Sequence, residues 1–311
     1  MIKVTDLKVH YGSTVAVDHL SFSVEPGSIY GLVGPNGAGK TSAIKTLATL
    51  IEPTYGEVII NGYSCLHEPE KVRGFLGYMP DFPPVYDDLK VWEFCDLFAH
   101  AYGLRGEEKR GRVLQSLHAT FLSNHMHVLC KTLSRGMRQK ALLAKTLVHE
   151  PSVLLLDEPA ANLDPKSRID LRNILKKLAD SGKSILLSSH ILSEIEDTCD
   201  SLGFMSVGKM VKSGSMDEIL VRNQGGSILR IHLSSPAPNL LEIVDQINSL
   251  SKLQAKDDQS LKYQAIIEGG NEEASKVLAK LVEAKIPVSE FSLQQQSVED
   301  LFLQLESQAL K

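Results

Sequence analysis

One run of eight residues constrains this chain more than any other feature of its sequence. It reads Gly34-Pro35-Asn36-Gly37-Ala38-Gly39-Lys40-Thr41 and matches the phosphate-loop pattern GxxxxGK[ST] in full. The apolar run Ile29–Val33 precedes it, and a helical pattern follows to about Ile51. A strand, a glycine-rich turn and a helix in this order are the context that phosphate binding requires, because loop N–H groups and the helix N-terminus then face one anion.

Each residue type in this phosphate loop has a distinct task. Glycines let the backbone wrap around phosphates, Lys40 is placed to reach the β- and γ-phosphates, and the Thr41 hydroxyl is placed to coordinate Mg²⁺. The sequence therefore predicts a nucleoside triphosphate site. Its binding residues are Gly34, Pro35, Asn36, Gly37, Ala38, Gly39, Lys40, Thr41 and Ser42.

A second motif is an apolar run, Val153–Leu156, that ends in the carboxylates Asp157 and Glu158. It predicts a buried strand with two acids at its carboxyl end. Asp157 is placed to hold Mg²⁺ through its water shell, and Glu158 to polarise an attacking water as a general base. Together with the phosphate loop, this pair predicts nucleotide hydrolysis or phosphoryl transfer. The two motifs alone leave a nucleotidase and a kinase open.

Further motifs carry a resemblance to one family of nucleotidases. Leu133-Ser134-Arg135-Gly136-Met137 resembles the LSGGQ signature of ABC-type ATPases, with Arg135 and Met137 in place of a glycine and the glutamine. Ala161-Asn162-Leu163-Asp164 looks like the D-loop of that family. His190 follows the run Ile185–Ser189 where the family has its switch histidine, and Tyr11 matches the aromatic residue that stacks on adenine. Residues 1–222 thus resemble an ABC transporter ATP-binding subunit.

The resemblance implies a mechanism, cofactors and partners. Two cassettes would pair head to tail, so that Ser134, Arg135 and Gly136 of one contact the ATP held by the phosphate loop of the other. Glu158, His190 and Lys40 would carry out ATP hydrolysis with Mg²⁺. A separately encoded transmembrane permease would use this cycle for export, and the chain would be cytoplasmic, peripheral on the inner face of the cell membrane. The second cassette would be an identical or a related chain.

Asp81 departs from the family pattern, because it stands where the family usually has a glutamine. A carboxylate can contact Mg²⁺ or its water but cannot donate a hydrogen bond as an amide does. Asp81 is therefore a third candidate metal contact beside Thr41 and Asp157. A transport regulator with impaired hydrolysis is a further interpretation that rests on Asp81 alone.

The alternation of strands and helices predicts an α/β fold. By resemblance it is a phosphate-loop ATPase cassette with a mostly parallel core sheet, antiparallel N-terminal strands and a helical subdomain at about 88–148. A linker-like stretch begins at Asn223. After it, strands and helices in the order βαββαβ predict a small ferredoxin-like α+β domain at 223–311, with helices at Leu240–Leu250 and from Val298. The end of this segment resembles the C-terminal extension of the drug-resistance export branch.

Composition excludes other classes of protein. The formal net charge of −5 and the lack of a basic block argue against a nucleic-acid partner. The longest apolar runs are far shorter than the roughly 20 residues of a spanning helix, and four scattered cysteines favour a reducing compartment. The alternative function is a soluble ABC-type ATPase acting on ribosomes or DNA. One phosphate loop and no heptad-rich insertion fit that alternative poorly.

Overall fold

The computed structural model describes residues 1–81, 84–221, 227–238, 253–255, 261–267 and 270–294, and the single positions 240, 243 and 250. The chain divides into two compact units, Met1–Met216 and Asp217–Lys311. This division falls shortly before the boundary at 222 that the sequence predicts.

The strands of the first unit, in chain order, are β1 (Ile2–Tyr11), β2 (Thr14–Val24), β3 (Ile29–Val33), β4 (Tyr55–Ile60), β5 (Tyr63–Ser64), β6 (Leu76–Met79), β7 (Val153–Leu156), β8 (Ser184–Ser189), β9 (Ser201–Ser206) and β10 (Lys209–Ser215). Its helices are α1 (Lys40–Leu47), α2 (Pro69–Phe75), α3 (Val91–Ala101), α4 (Gly106–Ala119), α5 (Arg135–Leu147), α6 (Pro165–Asp180) and α7 (Leu192–Thr198).

A six-stranded sheet in the order β10-β9-β3-β8-β7-β6 organises the first unit. Neighbours are parallel from β9 to β6, whereas β10 is antiparallel to β9. Strands β3, β7 and β8 are buried along their whole length, as expected of parallel strands covered on both faces. Val33 is the register partner of Ser189, so the carboxyl ends of β3 and β8 meet at one edge. Loops that follow parallel strands meet at this edge, which is where such sheets bind ligands.

The N-terminal strands form a separate antiparallel sheet in the order β2-β1-β4-β5. Buried and exposed residues alternate along much of β1, because one face of this sheet packs on the core and the other faces solvent. Side chains from this sheet, from α1 and from the parallel sheet share one hydrophobic cluster, which includes Leu7, Ile44 and Leu155. The mostly parallel core and the antiparallel N-terminal strands are therefore confirmed.

The predicted helical block contains α3, α4 and α5, with short 3₁₀ turns at Ser123–His125 and Cys130–Thr132. The sequence analysis missed α2 and the hairpin that forms β10. That hairpin turns at Val207 and Gly208, both with positive φ (47° and 79°). A β-branched residue is rare in this conformation, so the sequence carried no ordinary turn signal. Helix α1 also ends at Leu47, earlier than predicted.

In the second unit, the described elements are α8 (Met216–Val221, which begins at the boundary), β11 (Ser227–Leu233), β12 (Gln254–Ala255), β13 (Lys262–Ile267), α9 (Gly270–Glu283) and β14 (Val288–Gln294). The strand order is β12-β13-β11-β14, and all neighbours are antiparallel. This order is that of a ferredoxin-like sheet, which confirms the predicted α+β module. The predicted helix from Val298 lies outside the described residues, as do most positions of the one at Leu240–Leu250.

Within the part of the chain that the structure describes, no helix has both the length and the apolar character needed to cross a membrane. The cysteines Cys65, Cys95, Cys130 and Cys199 are all buried and free, in agreement with their scattered spacing.

Candidate nucleotide-binding site

The phosphate loop connects β3 to α1 and is closed by its own lysine. Lys40 Nζ donates hydrogen bonds to the carbonyl oxygens of Gly34 (2.6 Å) and Pro35 (3.1 Å). The Lys40 side chain is nearly buried, and burial lowers its pKa, an effect that Glu158 and Asp157 oppose. The amine is thus held in the centre of the loop, at the point where a phosphate would enter.

Two glycines allow the loop its path. Gly37 and Gly39 have φ of 83° and 100°, a region that other residues rarely adopt. A Cβ on Gly39 would lie 2.2 Å from the carbonyl oxygen of Ala16, so a side chain is excluded there by contact as well as by backbone conformation. Gly39 is also the N-cap residue of α1, and the N–H groups in the first turn of a helix have no partner within the helix.

Asp157 lies directly after β7 and is fully buried. Its Oδ1 accepts hydrogen bonds from Thr41 Oγ1 (3.2 Å) and from Ser188 Oγ (2.6 Å). The same Ser188 hydroxyl oxygen accepts a bond from the Glu158 N–H (2.9 Å). The structure therefore brings Thr41 and Asp157 together, as predicted. The sequence analysis missed Ser188. The one feature that could have pointed to it is its place near the end of a buried strand.

Glu158 joins the lysine to the histidine. Its Oε2 lies 2.8 Å from His190 Nδ1, and its Oε1 lies 3.8 Å from Lys40 Nζ. The Glu158 side chain is only 12% exposed, whereas His190 is 46% exposed. Glu158 has φ of 50°, a left-handed conformation that turns the chain sharply after β7. The three residues predicted to be catalytic thus form one connected group.

Asp81 is half-buried beside this group. Burial raises its pKa, and the negative charges of Asp157 and Glu158 raise it further, against the opposing effect of His190. Asp81 lines a cavity of about 210 Å³ together with Glu158, Arg135 and Arg138. Among the described residues, no hydrogen bond joins Asp81 to Thr41, and the metal role of Asp81 stays a prediction.

The donor atoms at Thr41 and Asp157 fit a magnesium ion. A hydroxyl and a carboxylate are hard oxygen ligands, and their separation of 3.2 Å lets both face one small cation. Mg²⁺ keeps most of its ligands as water and substrate phosphate, so two protein contacts are enough. No group of three His, Cys, Asp or Glu suited to a metal occurs among the described residues.

Tyr11 ends β1 next to the phosphate loop. Its ring is 48% exposed, and its hydroxyl lies 3.5 Å from Ser42 Oγ on α1. A half-exposed aromatic ring beside a phosphate loop offers a flat face for a base to stack on. This is the position in which the sequence analysis expects the adenine.

The signature residues begin α5 and contact the start of α6. Ser134 caps α5, since its Oγ accepts a hydrogen bond from the Met137 N–H (3.3 Å). Asp164 caps α6 through bonds from the N–H (3.0 Å) and Oγ (2.5 Å) of Ser167, which lower the pKa of its carboxyl group. A Cβ on Gly136 would lie 2.1 Å from Ser167 Oγ. Only glycine at position 136 lets the two helix starts pack so closely, a constraint the sequence analysis missed.

Ser134 and Arg135 themselves are exposed. The fold and the site together define a phosphate-loop nucleotide-binding cassette with a second, outward-facing motif at the start of α5.

Comparison with known proteins places this cassette in a family. A family model described as "ABC transporter" matches residues 17–161. The bacitracin transport ATP-binding protein of Bacillus licheniformis is 32% identical over 98% of this chain and 97% of its own length. The linearmycin resistance ATP-binding protein of Bacillus subtilis (strain 168) is 28% identical over all of both chains. A solved structure of an ATP-binding subunit of an ABC transporter is 33% identical, with a TM-score of 0.64, over 71% of this chain and 92% of that one.

The chain belongs to the ABC transporter family and is one of its ATP-binding subunits, an ABC-type ATPase. The family resemblance predicted from the signature, the D-loop and His190 is therefore confirmed. ATP-binding subunits of this family dimerise and work with membrane permeases. The relatives are transport and resistance proteins, which does not favour the alternative of an ATPase acting on ribosomes or DNA.

Proposed function

We propose that this chain couples ATP hydrolysis to the export of a substrate through a separately encoded permease, from the cytoplasmic face of the membrane. The observation that carries the proposal is the connected group Lys40, Glu158 and His190, built against the Thr41–Asp157 contact. Export, rather than import, is supported by relatives that confer linearmycin resistance and transport bacitracin.

The proposed chemistry assigns a role to each of these residues. The phosphates of ATP replace the carbonyl oxygens of Gly34 and Pro35 as partners of the Lys40 amine. Thr41 and Asp157 would hold Mg²⁺, which neutralises charge on the phosphates when it is bound. Glu158 accepts a proton from the attacking water, while His190 holds the carboxylate in place through its 2.8 Å contact. Tyr11 stacks on the adenine.

Two cassettes then complete each site. Ser134, Arg135 and Gly136 of one chain contact the ATP bound by residues 34–42 of its partner. Their exposure supports this arrangement, because Ser134 and Arg135 are free to meet another molecule. ATP makes its full set of contacts only in the closed pair, so binding shifts the population towards that pair and hydrolysis releases it.

The experiment compares the wild-type chain with Glu158→Gln in a phosphate-release assay with Mg-ATP. Loss of a general base lowers turnover by about 10²–10⁴-fold, while ATP binding persists and a stable ATP-bound dimer accumulates on size exclusion. The matched control is Glu57→Gln, the same change at an exposed position of β4. Unchanged turnover in Glu158→Gln would remove this residue from the role of base. A wild-type chain that binds RNA or ribosomes and hydrolyses ATP only with them would favour the alternative function.

A further inference from the structure

Residues 87–91 are paired with residues 128–131, which lead into the signature. Cys130 N–H donates to the Leu89 carbonyl (2.8 Å), Lys131 N–H to the Asp87 carbonyl (3.1 Å), and Val91 N–H to the Val128 carbonyl (3.1 Å). Lys90 and Leu129 form an isolated β-bridge between these bonds. Residues 87–91 therefore cannot shift along their axis without moving residues 128–131, which stand directly before Ser134.

An ion pair extends this pairing onto α5. Arg138 Nη2 lies 2.6 Å from Asp87 Oδ1. Arg138 is one helical turn beyond the cap, and its N–H donates to the Ser134 carbonyl (2.8 Å). Because the side chain of Arg138 contacts Asp87 and its backbone contacts Ser134, the position of the signature residues depends on the position of Asp87.

The next residue of α5 contacts the catalytic segment. Gln139 Nε2 donates a hydrogen bond of 2.7 Å to the carbonyl of Pro159, the residue that follows Glu158. A cavity of about 210 Å³ lies between these groups and is lined by Asp81, Arg138, Gln139 and Glu158. The cavity leaves room for residues 87–91 and for Glu158 to move. Arg138 and Gln139 keep α5 attached to both of them.

Stability alone does not explain the Asp87–Arg138 pair. The two side chains are 55% and 34% exposed. Ion pairs this exposed contribute little to folding, since water screens them and holding two long side chains in place costs entropy. The planar guanidinium of an arginine nevertheless restricts the orientation of the carboxylate that it contacts. The pair is suited to setting position rather than to holding the fold together.

We propose that Asp87, Arg138 and Gln139 form a positioning bridge that couples residues 87–91 to both the signature and Glu158. The inference rests on the proposed function, because movement of that segment has a consequence only if the cassette pairs and hydrolyses ATP. The three are positioning residues, since the proposed function gives none of them a contact with the nucleotide. Breaking the bridge misplaces the signature of one chain relative to the ATP of its partner and leaves the phosphate loop intact.

The test uses the full chain with Mg-ATP as the probe and compares Asp87→Asn, Arg138→Gln and the charge-swapped double variant Asp87→Arg/Arg138→Asp. We expect kcat to fall by up to about 10²-fold in each single variant, as a misplacement of about 1 Å caused by a change far from the reacting atoms can do. The dissociation constant for ATP, measured by fluorescence titration of the monomer, stays within about twofold because the phosphate loop is unchanged. The double variant recovers most of kcat.

The control is Arg112→Gln, which removes an ion pair with Glu150 elsewhere in the helical block. It should leave kcat and ATP affinity at wild-type values. Single variants that turn over like the wild type, in a preparation where Glu158→Gln is inactive, would overturn the bridge and leave the proposed function standing. A drop in kcat that is matched by weaker ATP binding and a lower melting temperature, without recovery in the double variant, would mark a structural role and also overturn it. A wild-type chain without hydrolysis overturns both proposals together.

Discussion

The two halves of the proposed nucleotide site are built in opposite ways. Around the phosphate loop, Lys40 and Asp157 are almost fully buried and hydrogen-bonded to their own chain. At the start of α5, Ser134 and Arg135 are exposed, and the buried Gly136 packs them onto α6 from beneath. The first half is held together by hydrogen bonds within its own chain. The second half is exposed at the surface.

This difference separates affinity from turnover. A buried, prearranged half determines whether ATP binds to a single chain. In the proposed arrangement, the exposed half adds its contacts only when two chains meet, so it determines how fast bound ATP is hydrolysed. Variants in the two halves should therefore alter different measured quantities.

The largest effect on ATP affinity is expected for Lys40→Ala. The amine makes charge-assisted contacts inside the loop and is the group that a phosphate would meet. Contacts of this kind contribute about 1.5–3 kcal/mol, and each 1.4 kcal/mol is about tenfold in affinity. We expect ATP to bind about ten- to a hundredfold more weakly, as measured by fluorescence titration.

Lys45→Ala is the matched control, since Lys45 lies in the last turn of the same helix. It should bind ATP as the wild type does. If Lys40→Ala retained both affinity and phosphate release, the contrast between the two halves would be lost.

A smaller effect, on the exposed half, is expected for Gly136→Ala. The new methyl group would lie 2.7 Å from Ser167 Cβ and 2.1 Å from its Oγ. Overpacking of this kind costs about 1–3 kcal/mol, so the melting temperature should fall and ATP-dependent dimer formation should weaken while monomer ATP affinity is unchanged. Gly136→Ala/Ser167→Gly restores the space and should recover the dimer. A single variant with normal dimerisation would show that the packing beneath the signature is unimportant.

The smallest effect is expected for a change at His149, which lies just after α5 and joins the helical block to the core. Its ring stacks on Tyr102, and its Nε2 donates to the Leu76 carbonyl (2.9 Å) at the start of β6. Burial lowers the pKa of His149, with Lys183 and Lys145 adding to the effect.

A histidine with a lowered pKa in the folded chain makes stability depend on pH. Below about pH 6.5, the ordinary pKa of the free side chain, the unfolded chain binds a proton that the folded chain does not, so stability falls as the pH decreases. Through this one histidine, the free energy of unfolding cannot change by more than about 1.4 kcal/mol per pH unit. Chemical denaturation between pH 7.5 and 5.5 should show that the free energy of unfolding depends less on pH in His149→Phe, which keeps the stacked ring, than in the wild type. An equal dependence in both proteins would exclude His149 as the cause.

The buried half was largely predictable from sequence, and the contacts beneath it were not. Lys40, Asp157 and His190 belong to motifs whose order and neighbouring strands define their place at one sheet edge. Ser188 reaches Asp157 only because β8 lies beside β7 in the parallel sheet. A pairing between residues so distant in sequence has no local signal.

The exposed half shows the same limit more strongly. The contacts Gly136–Ser167 and Gln139–Pro159 join elements whose packing cannot be inferred from the composition of either one. The β10 hairpin was missed for a different reason, because Val207 adopts a turn conformation that its residue type rarely shows.

The Lys40 amine donates its hydrogen bonds to the Gly34 and Pro35 carbonyl oxygens of its own loop. Under the proposed function, capture of ATP is an exchange of partners, in which phosphate oxygens displace these backbone carbonyls. The measured affinity for ATP then reports the difference in free energy between the lysine–phosphate contacts and the lysine–carbonyl contacts, rather than the strength of the phosphate contacts alone.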